Sequence, residues 1–485
     1  MSAKNFYSTN NKNFKVNFEY ALLHGLAPDY GLYMIGKGDI PKLSKQKFKQ
    51  MKQLSYAEIA FFVLQPFLQA EIPDQDLHQI LNDAYSEEKI PTKIQHITGK
   101  AHIMWLTQGP TYSFKDYAAR FFGRTLNYFL GKRNQKRTVI VATSGDTGGA
   151  VADALHGLTN VKCLVFYPQD SISEGQRRQM TTLGNNIYAF AVNGDFDICQ
   201  ALAKNLLGDK NFANQLTGNE NNFTSANSIS LGRLLPQAVY PFFAYAKIAD
   251  YPEPMIASIP SGNFGDMMGT VIAKQMGLPI AKIICGVNAN IEFPKFLETG
   301  EYIVEPSKKS PSSAMIVSHP SNLARLIDFY DGHMYDERDP QTKKVVKPGL
   351  IDQQPNLNKM RQDLFSMGIS NEDHYKTMQE VYDKYKVILD PHGAVGWQTL
   401  DTYLNGQHNQ LAVIYETADP GKFPADIEKA INLTPQLPEG ILKQANLKEK
   451  IFTIEQPPDY NKLGLKLSDQ QIKEAKAKIK QIFKK

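Results

Sequence analysis

Cysteine is scarce in this chain of 485 residues, which contains only Cys163, Cys199 and Cys285. The three are far apart in sequence, and no CxxC pair occurs. We therefore expect neither a disulfide framework nor a structural zinc site, and a reducing compartment fits best. The 10 histidines form no HExxH or HxH group, so the sequence predicts no metal site.

Long apolar runs are also missing. The longest candidate, IAFFVLQPFLQA (59–70), is shorter than the roughly 18 residues of a membrane span and contains Pro66 and two glutamines. The N-terminal stretch MSAKNFYSTNNKNFKVNFEY has no apolar core of the signal-peptide type. These absences predict a soluble cytoplasmic protein without a membrane partner.

A strong charge bias is absent too. The net charge is +5, from 54 basic and 49 acidic residues, and this small excess does not predict binding to nucleic acid. Neither GxGxxG nor GxxxxGK[ST] occurs, so Rossmann-type dinucleotide binding and Walker-type nucleotide binding lose their main support. With 42% hydrophobic residues the chain is globular, and its length favours two or three lobes.

Strand-like and helix-like segments alternate through the middle of the chain. TVIVA, CLVFYP, MIASIP and LAVIYE read as buried strands, and polar loops follow three of them. This alternation predicts an α/β fold with mostly parallel sheets flanked by helices. Because ligands of such sheets bind beyond the carboxyl ends of the strands, the three loops are expected to share one cleft.

The two ends of the chain have patterns of their own. Residues 1–95 read as an α-rich mixed segment, with a capping box at Ser55 and Glu58 ahead of a helix. A second capping box, at Ser468 and Gln471, opens a lysine-rich amphipathic helix. We favour a docked terminal helix over a membrane-surface role for this last segment.

SGNFGDMMG (261–269) is a glycine-containing loop between a strand and a helix. Glycine permits close approach of the backbone and unusual dihedrals, and free N–H groups at a helix start favour a phosphate. A tight structural turn explains the same pattern, so the loop alone leaves both readings open.

TSGDTGGA (143–150) has the same context. The hydroxyls of Thr143, Ser144 and Thr147 and the backbone amides suit an anion such as a carboxylate, and Asp146 suits a hydroxyl or an ammonium group. Capping of the next helix by Ser144 or Asp146 is the plainer alternative.

Lys115 lies in GPTYSFKDYAARFFG, after a Gly-Pro turn and at the start of a helix-like segment. A lysine amine becomes a nucleophile when burial or a neighbouring cation lowers its pKa, and it then forms a Schiff base with a carbonyl. The plainer alternative is a surface lysine beside Asp116.

Taken together, these motifs resemble one family. PTYSFKDYAARFFG, ATSGDTGGAVADAL, PSGNFGDMMG and ETADPGKFP occur in the order found in threonine synthases, which are pyridoxal-phosphate enzymes of the tryptophan-synthase-β type, also called fold type II. HGLAPDYGLYM, NSISLGRLLPQAVY, PSNLARL and DPHGAVG extend the resemblance from about residue 7 to about residue 430. The resemblance implies a threonine-synthase-type segment at 1–95, a catalytic core at 96–430 with two α/β lobes, one including about 130–210, and a C-terminal segment at 431–485.

The resemblance also implies roles for individual residues. It makes Lys115 the catalytic Schiff-base lysine. It implies a pyridoxal 5′-phosphate site formed by Lys115, Gly262, Asn263, Phe264, Gly265, Asp266 and Thr417. It implies substrate contacts from Thr143, Ser144, Asp146, Thr147, Asn227, Ser228 and Arg233. Thr417 matches the residue that faces the pyridine nitrogen, where a hydroxyl holds a ring proton less strongly than a carboxylate would.

The chain departs from the family pattern at several positions. Asp419 and Gly421 stand where histidine and alanine are common, and Gly393 replaces a frequent threonine. Tyr112 and Ser113 replace a more usual leucine and alanine ahead of the lysine. Asp419 reverses the sign of the expected charge near the cofactor.

The activity implied by the resemblance is conversion of O-phospho-L-homoserine and water to L-threonine and phosphate, the last step of threonine biosynthesis. Another fold-type-II lyase, such as a phosphohomoserine lyase that releases 2-oxobutyrate, requires almost the same site and stays open. A non-catalytic binding homologue also stays open. The sequence does not distinguish a monomer from a homodimer.

Overall fold

The computed structural model describes residues 4–341, 345–461 and 464–484. These residues group into two compact units. The first contains the described residues of Met1–Ala118 and Ser228–Gln436, and the second those of Ala119–Asn227 and Leu437–Lys485. The division at residues 95 and 430 drawn from the sequence stays a prediction.

The strands, in chain order, are β1 Phe6–Ser8, β2 Asn11–Val16, β3 Tyr33–Ile35, β4 Lys93–Thr98, β5 Ala101–Trp105, β6 Arg137–Ala142, β7 Val161–Pro168, β8 Ile187–Val192, β9 Phe223–Ser225, β10 Met255–Pro260, β11 Ile280–Val287, β12 His333–Arg338, β13 Val345–Gln353, β14 Leu364–Gly368, β15 Ala412–Glu416, β16 Ile451–Ile454, β17 Asp459–Asn461 and β18 Gly464–Lys466.

The α-helices are α1 Phe18–His24, α2 Lys45–Gln50, α3 Tyr56–Leu68, α4 Asp74–Tyr85, α5 Lys115–Lys132, α6 Asp146–Leu155, α7 Glu174–Thr181, α8 Phe196–Gly208, α9 Lys210–Thr217, α10 Leu231–Leu234, α11 Val239–Ile248, α12 Gly265–Gln275, α13 Glu292–Thr299, α14 Leu323–Phe329, α15 Leu357–Asp363, α16 Asn371–Tyr385, α17 Pro391–Tyr403, α18 Pro424–Ile431, α19 Glu439–Gln444 and α20 Asp469–Phe483. Short 3-10 helices occupy Met51–Gln53, Leu235–Ala238, Ser313–Met315 and Pro420–Lys422.

The first unit is built on a six-stranded sheet with the order β14-β11-β10-β15-β5-β4. Only β4 is antiparallel to its neighbour; the other pairs are parallel. Apolar side chains of the central strands, including Ile256, Ile284 and Ile414, pack with Trp397 and Leu400 of α17. Central strands buried on both faces are the reason that these segments read as continuous apolar runs.

The second unit is built on a fully parallel sheet with the order β16-β8-β7-β6-β9. The parallel α/β fold class predicted from the sequence is confirmed in both units. The C-terminal helix α20 buries Ala475, Ile479 and Ile482 in the core of this unit, and its capping box at Ser468 and Gln471 is present. The prediction of a docked terminal helix is therefore confirmed.

The capping box predicted in the N-terminal segment is also confirmed. Ser55 caps α3, and its capping box with Glu58 is formed on both sides. The segment that follows α4 contains β4 and β5.

The three cysteines are buried and unpaired. Within the described parts of the chain, no helix is long and apolar enough to cross a membrane.

Candidate active site

Three neighbouring strands of the first unit end at one edge of the sheet. β15 lies between β10 and β5 and runs parallel to both. The carboxyl end of β10 leads into the glycine loop at 261–264, that of β15 leads to Thr417, and that of β5 leads to Lys115. The strand order therefore places three of the predicted cofactor elements side by side, where α/β sheets bind ligands.

Backbone hydrogen bonds join the Lys115 segment to the Thr417 segment. The N–H of Phe114 donates to the carbonyl of Thr417 at 2.9 Å, and the N–H of Asp419 donates to the carbonyl of Tyr112 at 3.0 Å. Tyr112 has a φ of 57°, in the left-handed region that a non-glycine residue adopts only under strain. The short ladder fixes the start of α5, and with it Lys115, beside the end of β15.

Asp116 braces the turn that precedes Lys115. Its carboxylate accepts hydrogen bonds from the N–H of Thr111 at 2.9 Å and from the Thr111 hydroxyl. The buried ammonium group of Lys422 donates to the carbonyl of Thr111 at 2.9 Å. Both side chains hold the turn closed, so Lys115, which is half-buried, starts its helix from a fixed point.

The glycine loop presents a row of free donors. In the described structure, the backbone N–H groups of Gly262, Asn263, Phe264 and Gly265 have no hydrogen-bond acceptor, and Gly265 is the first residue of α12. Consecutive N–H groups at a helix start form a concavity that favours an anion. The donor set therefore fits the phosphate of pyridoxal phosphate.

The glycines of this loop serve close packing rather than unusual dihedrals. A Cβ on Gly262 would lie 2.9 Å from the carbonyl oxygen of Ala314, so only glycine fits there. The left-handed residue is Phe264, with a φ of 60°, and its buried ring packs edge-on against Phe293 at 4.8 Å. The expectation that glycine supplies the unusual conformation is wrong here, because burial of the aromatic ring offsets the strain.

Asp266 directly follows the loop in sequence, and its carboxyl group interacts electrostatically with Lys115. Burial raises the pKa of Asp266 to about 6, and hydrogen bonds to the carboxylate and the positive charge of Lys115 oppose that rise. Its carboxylate accepts from the N–H of Met267 at 2.9 Å. Of the residues predicted to hold the cofactor, Asp266 and Lys115 therefore form an electrostatically linked pair.

Thr417 is 5% exposed at the end of β15. Its carbonyl accepts a hydrogen bond from the N–H of Phe114, whereas its hydroxyl makes no hydrogen bond within the described residues. A strand-end threonine in a purely structural role usually bonds its hydroxyl to nearby backbone. The unused hydroxyl instead favours a ligand contact.

Asp419, the departure that reverses the expected charge, caps the 3-10 helix after β15. Its carboxylate accepts from the N–H of Gly421 at 2.8 Å, and burial raises its pKa. It also lines a surface cavity of about 270 Å³ together with Trp105 and Lys386. The aspartate is therefore accommodated as a cap.

Gly393, another departure, makes room for a buried acid. A Cβ at this position would lie 1.6 Å from Oε2 of Glu416, a residue with no exposed surface. The other oxygen of Glu416 accepts from the N–H of Asp390 at 2.7 Å. Burial, followed by the charge of Asp390, raises the pKa of Glu416 well above its usual range.

Thr143, Ser144, Asp146 and Thr147, which are predicted substrate residues of the second unit, lie at the start of α6. The helix begins at Asp146, and its N-cap residue is Gly145. The hydroxyl of Thr143 accepts from the N–H groups of Gly145 at 2.9 Å and Gly148 at 2.8 Å, and this is a structural role. Asp146 accepts from Gln176 at 3.1 Å.

Ser144 is exposed, while Thr147 and Asn227 are half-buried. Oδ1 of Asn227 is buried without a partner in the described part of the chain. Among the substrate residues predicted in the second unit, these three side chains leave polar groups for a ligand.

Two predicted substrate residues belong to the first unit. The carbonyl of Ser228 accepts from the side chain of Asn322 at 3.4 Å. Arg233 is buried in α10; burial lowers its pKa to about 10, while Tyr240 and Asp116 raise it. The negative charge of Asp116 stabilises the Arg233 guanidinium, so a structural role explains this buried arginine as well as substrate binding does.

Several residues of this site escaped the sequence analysis. Gln237, Glu416 and Asn322 have no chemical motif of their own, and each acts through a contact distant in sequence. Gln237, for example, lies 2.8 Å from where a Cβ on Gly265 would be, beneath the start of α12. The available signal was the PSNLARL segment, which contains Asn322.

Comparison with known proteins points to one family. Residues 5–85 match the family model described as "Threonine synthase N terminus", and residues 104–348 match "Pyridoxal-phosphate dependent enzyme". The chain is 33% identical to the threonine synthase of Pseudomonas aeruginosa over 440 residues, which cover 89% of this chain and 92% of the relative. It is 32% identical to the threonine synthase of Saccharomyces cerevisiae, covering 91% of this chain and 93% of the relative.

A solved structure extends the similarity to the fold. The crystal structure of threonine synthase from Brucella melitensis, with pyridoxal phosphate bound, superposes with a TM-score of 0.86 at 28% identity. The superposition covers 99% of each chain.

A first prediction concerns the space at Gly393. We expect Gly393→Ala to lower the free energy of unfolding by about 1–3 kcal/mol, because the new Cβ overlaps the Glu416 carboxyl. Adding Glu416→Ala should restore part of this loss. Denaturant unfolding of both variants measures the effect.

Gly208→Ala, where a Cβ meets nothing within 4 Å, is the control and should be close to neutral. Equal effects at the two glycines would refute the packing argument.

A second prediction concerns the pH dependence due to Asp266. Because its folded pKa is raised to about 6, its protonated form contributes stability at pH 4 that is lost as the pH rises through 6. Relative to Asp266→Asn, the cofactor-free protein should lose up to about 3 kcal/mol between pH 4 and 7.

Urea unfolding of both proteins across this pH range measures the difference. Asp250→Asn is the control, since Lys52 lowers the pKa of this exposed carboxylate and its contribution has the opposite sign. A difference between wild type and Asp266→Asn that does not change with pH would contradict the assignment.

Proposed function

The chain belongs to the threonine synthase family of pyridoxal-phosphate-dependent enzymes, and we propose that its reaction is carried out at the strand edge that bears Lys115, the glycine loop and Thr417. The activity is conversion of O-phospho-L-homoserine and water to L-threonine and phosphate. The observation that carries the site assignment is the meeting of these three elements at the ends of β5, β10 and β15.

The loop at 262–265 holds the cofactor phosphate in this proposal. Its unpaired N–H groups, next to the start of α12, supply donors and a favourable dipole for a dianion. Pyridoxal 5′-phosphate, when bound, supplies an electron sink for the negative charge that develops on a substrate carbon.

Lys115 is the nucleophile and the base. Its amine would hold the cofactor covalently, and as a free amine it would remove the substrate proton at Cα and carry protons at Cβ. The hydrogen bonds of Tyr112 and Phe114 to the Thr417 segment fix the backbone that carries this amine beside the end of β15. The negative side chain of Asp266 stabilises its protonated form during transfer.

Thr417 would hold the pyridine nitrogen of the cofactor. Its hydroxyl offers a neutral hydrogen bond, which holds a ring proton less strongly than a carboxylate. A neutral partner at this position would suit elimination of the γ-phosphate and addition of water at Cβ.

The substrate contacts are proposed from the family pattern. Ser144 and Thr147 have the surface exposure for a carboxylate, and Asn227 has an unused amide oxygen. Ser228 and Arg233 are the candidates for the substrate phosphate. We place the activity in the cytoplasm, in line with the buried, unpaired cysteines.

A third prediction concerns the product. The holoenzyme given O-phospho-L-homoserine should release threonine and phosphate in equal amounts, because water is added before the intermediate leaves. Amino-acid analysis together with assays for 2-oxobutyrate and phosphate measures the outcome. Release of 2-oxobutyrate with phosphate would show a lyase instead.

A fourth prediction concerns Lys115. We expect Lys115→Ala to lower kcat by about a thousandfold or more, since both covalent attachment and proton transfer are lost. Lys132→Ala is the matched control at the other end of α5, where the lysine is exposed and bonds the Tyr128 hydroxyl at 3.2 Å. Full turnover by Lys115→Ala would remove the central residue of the proposal.

A further inference from the structure

Arg325 is the largest fully buried side chain of the described structure. It lies in the first turn of α14, and its guanidinium donates three hydrogen bonds. These go to the carbonyl of Tyr33 at 2.9 Å, the side-chain oxygen of Asn322 at 2.5 Å and the carbonyl of Ile229 at 2.7 Å. All three acceptors are neutral.

The charge of this guanidinium has no partner of opposite sign among the described residues. Burial alone lowers the pKa of Arg325 to about 9, with no carboxylate acting against the shift. Two other buried arginines differ, because Arg120 pairs with Asp153 at 3.3 Å and Arg233 feels the charge of Asp116. Within the part of the chain that the structure describes, Arg137 also lacks a carboxylate partner, but it is 7% exposed, whereas Arg325 has no exposed surface. An ion buried without a counter-ion is costly, and buried charges are normally paired.

The position of Arg325 in its helix adds to the imbalance. The first turn of a helix already carries a partial positive charge and usually attracts acidic residues. In α14 this turn contains no acidic residue, and it contains the arginine instead. Both features raise the positive potential at the start of this helix.

Asn322 connects the arginine to the glycine loop. Its side-chain oxygen accepts from Arg325, and its side-chain amide donates to the carbonyl of Asn263 at 2.9 Å. The N–H of Asn322 reaches the same carbonyl at 3.3 Å, and the hydroxyl of Ser321 donates to the Asn263 side chain at 3.3 Å. The loop whose N–H groups are free is thus cross-linked to the segment that carries the unbalanced charge.

We propose that Arg325 is a positioning residue whose missing counter-charge is the phosphate group held by the loop at 262–265. This inference rests on the proposed function, which supplies the phosphate. Arg325 does not touch the anion; it acts through Asn322, orienting Asn263 and adding a fixed positive charge behind the loop. A buried charge compensated by a bound anion couples the stability of this part of the protein to phosphate binding.

A purely structural role makes a different prediction. If Arg325 only ties together three carbonyl groups, its removal destabilises the protein equally with and without a phosphate. If its charge is balanced by the phosphate, removal weakens binding of a phosphorylated ligand more than binding of the same ligand without its phosphate. Pyridoxal 5′-phosphate and pyridoxal are such a pair, because both react with Lys115.

The experiment measures the dissociation constants of both compounds, from absorbance titrations, for wild type, Arg325→Met and Arg325→Lys. We expect the wild-type preference for the phosphorylated compound to fall on the order of tenfold in Arg325→Met and to be largely retained in Arg325→Lys, which keeps the charge. An unchanged preference in Arg325→Met would overturn the inference while leaving the proposed function intact. Failure of wild type to bind either compound would overturn both.

A second pair of variants keeps the arginine and covers the case in which Arg325→Met does not fold. Asn322→Asp places a carboxylate where the amide oxygen now accepts from Arg325, and Asn322→Ala removes the same amide without adding charge. Without cofactor, Asn322→Asp should melt at a higher temperature than Asn322→Ala, and it should prefer the phosphorylated compound less. A lower melting temperature for Asn322→Asp than for Asn322→Ala would show that an added negative charge does not stabilise the Arg325 guanidinium. That result would contradict the inference.

Discussion

The site depends on a short antiparallel ladder between two loop segments. Phe114 and Tyr112 exchange backbone hydrogen bonds with Thr417 and Asp419, so the residue before the lysine and the residue after β15 are held in register. A lysine side chain has high conformational entropy, and its amine is useful only when its backbone is fixed. Without this ladder, neither the Lys115 amine nor the Thr417 hydroxyl would have a defined place at the sheet edge.

The ladder forms because it continues from two neighbouring parallel strands. β5 and β15 are neighbours that end together, so their outgoing segments emerge side by side, and β10 delivers the glycine loop from the adjacent position. Building the site also buries ionisable groups, which is electrostatically unfavourable. Asp266, Glu416 and Arg325 are all buried ionisable groups with shifted pKa values. Glu416 accepts a hydrogen bond from the N–H of Asp390, and Asp266 is held by Lys115 and helix N–H groups. A bound phosphate gives Arg325 its counter-charge in the same way.

The sequence predicted the parts of the site whose chemistry is local. Lys115 and the SGNFG loop stand in contiguous patterns, and the strand runs around them have the apolar composition of a parallel sheet. The order of the strands, and so the meeting of these elements, depends on pairing between segments about 300 residues apart in the chain. The fit of Glu416 against Gly393 and the link from Arg325 to Asn263 also depend on such contacts, so no single stretch of sequence reveals them. The left-handed conformation of Phe264 could not be predicted from local propensity, because burial of its ring determines that conformation.

The most direct test of this account is to locate the covalent attachment of the cofactor. The holoenzyme is reduced with borohydride and digested, and the peptides are mapped by mass spectrometry. The account predicts one stoichiometric pyridoxyl adduct, on Lys115, in the peptide that begins α5. An adduct on another lysine, such as Lys422, with Lys115 unmodified would contradict it, because the ladder that holds the Lys115 segment beside Thr417 would then serve some other purpose.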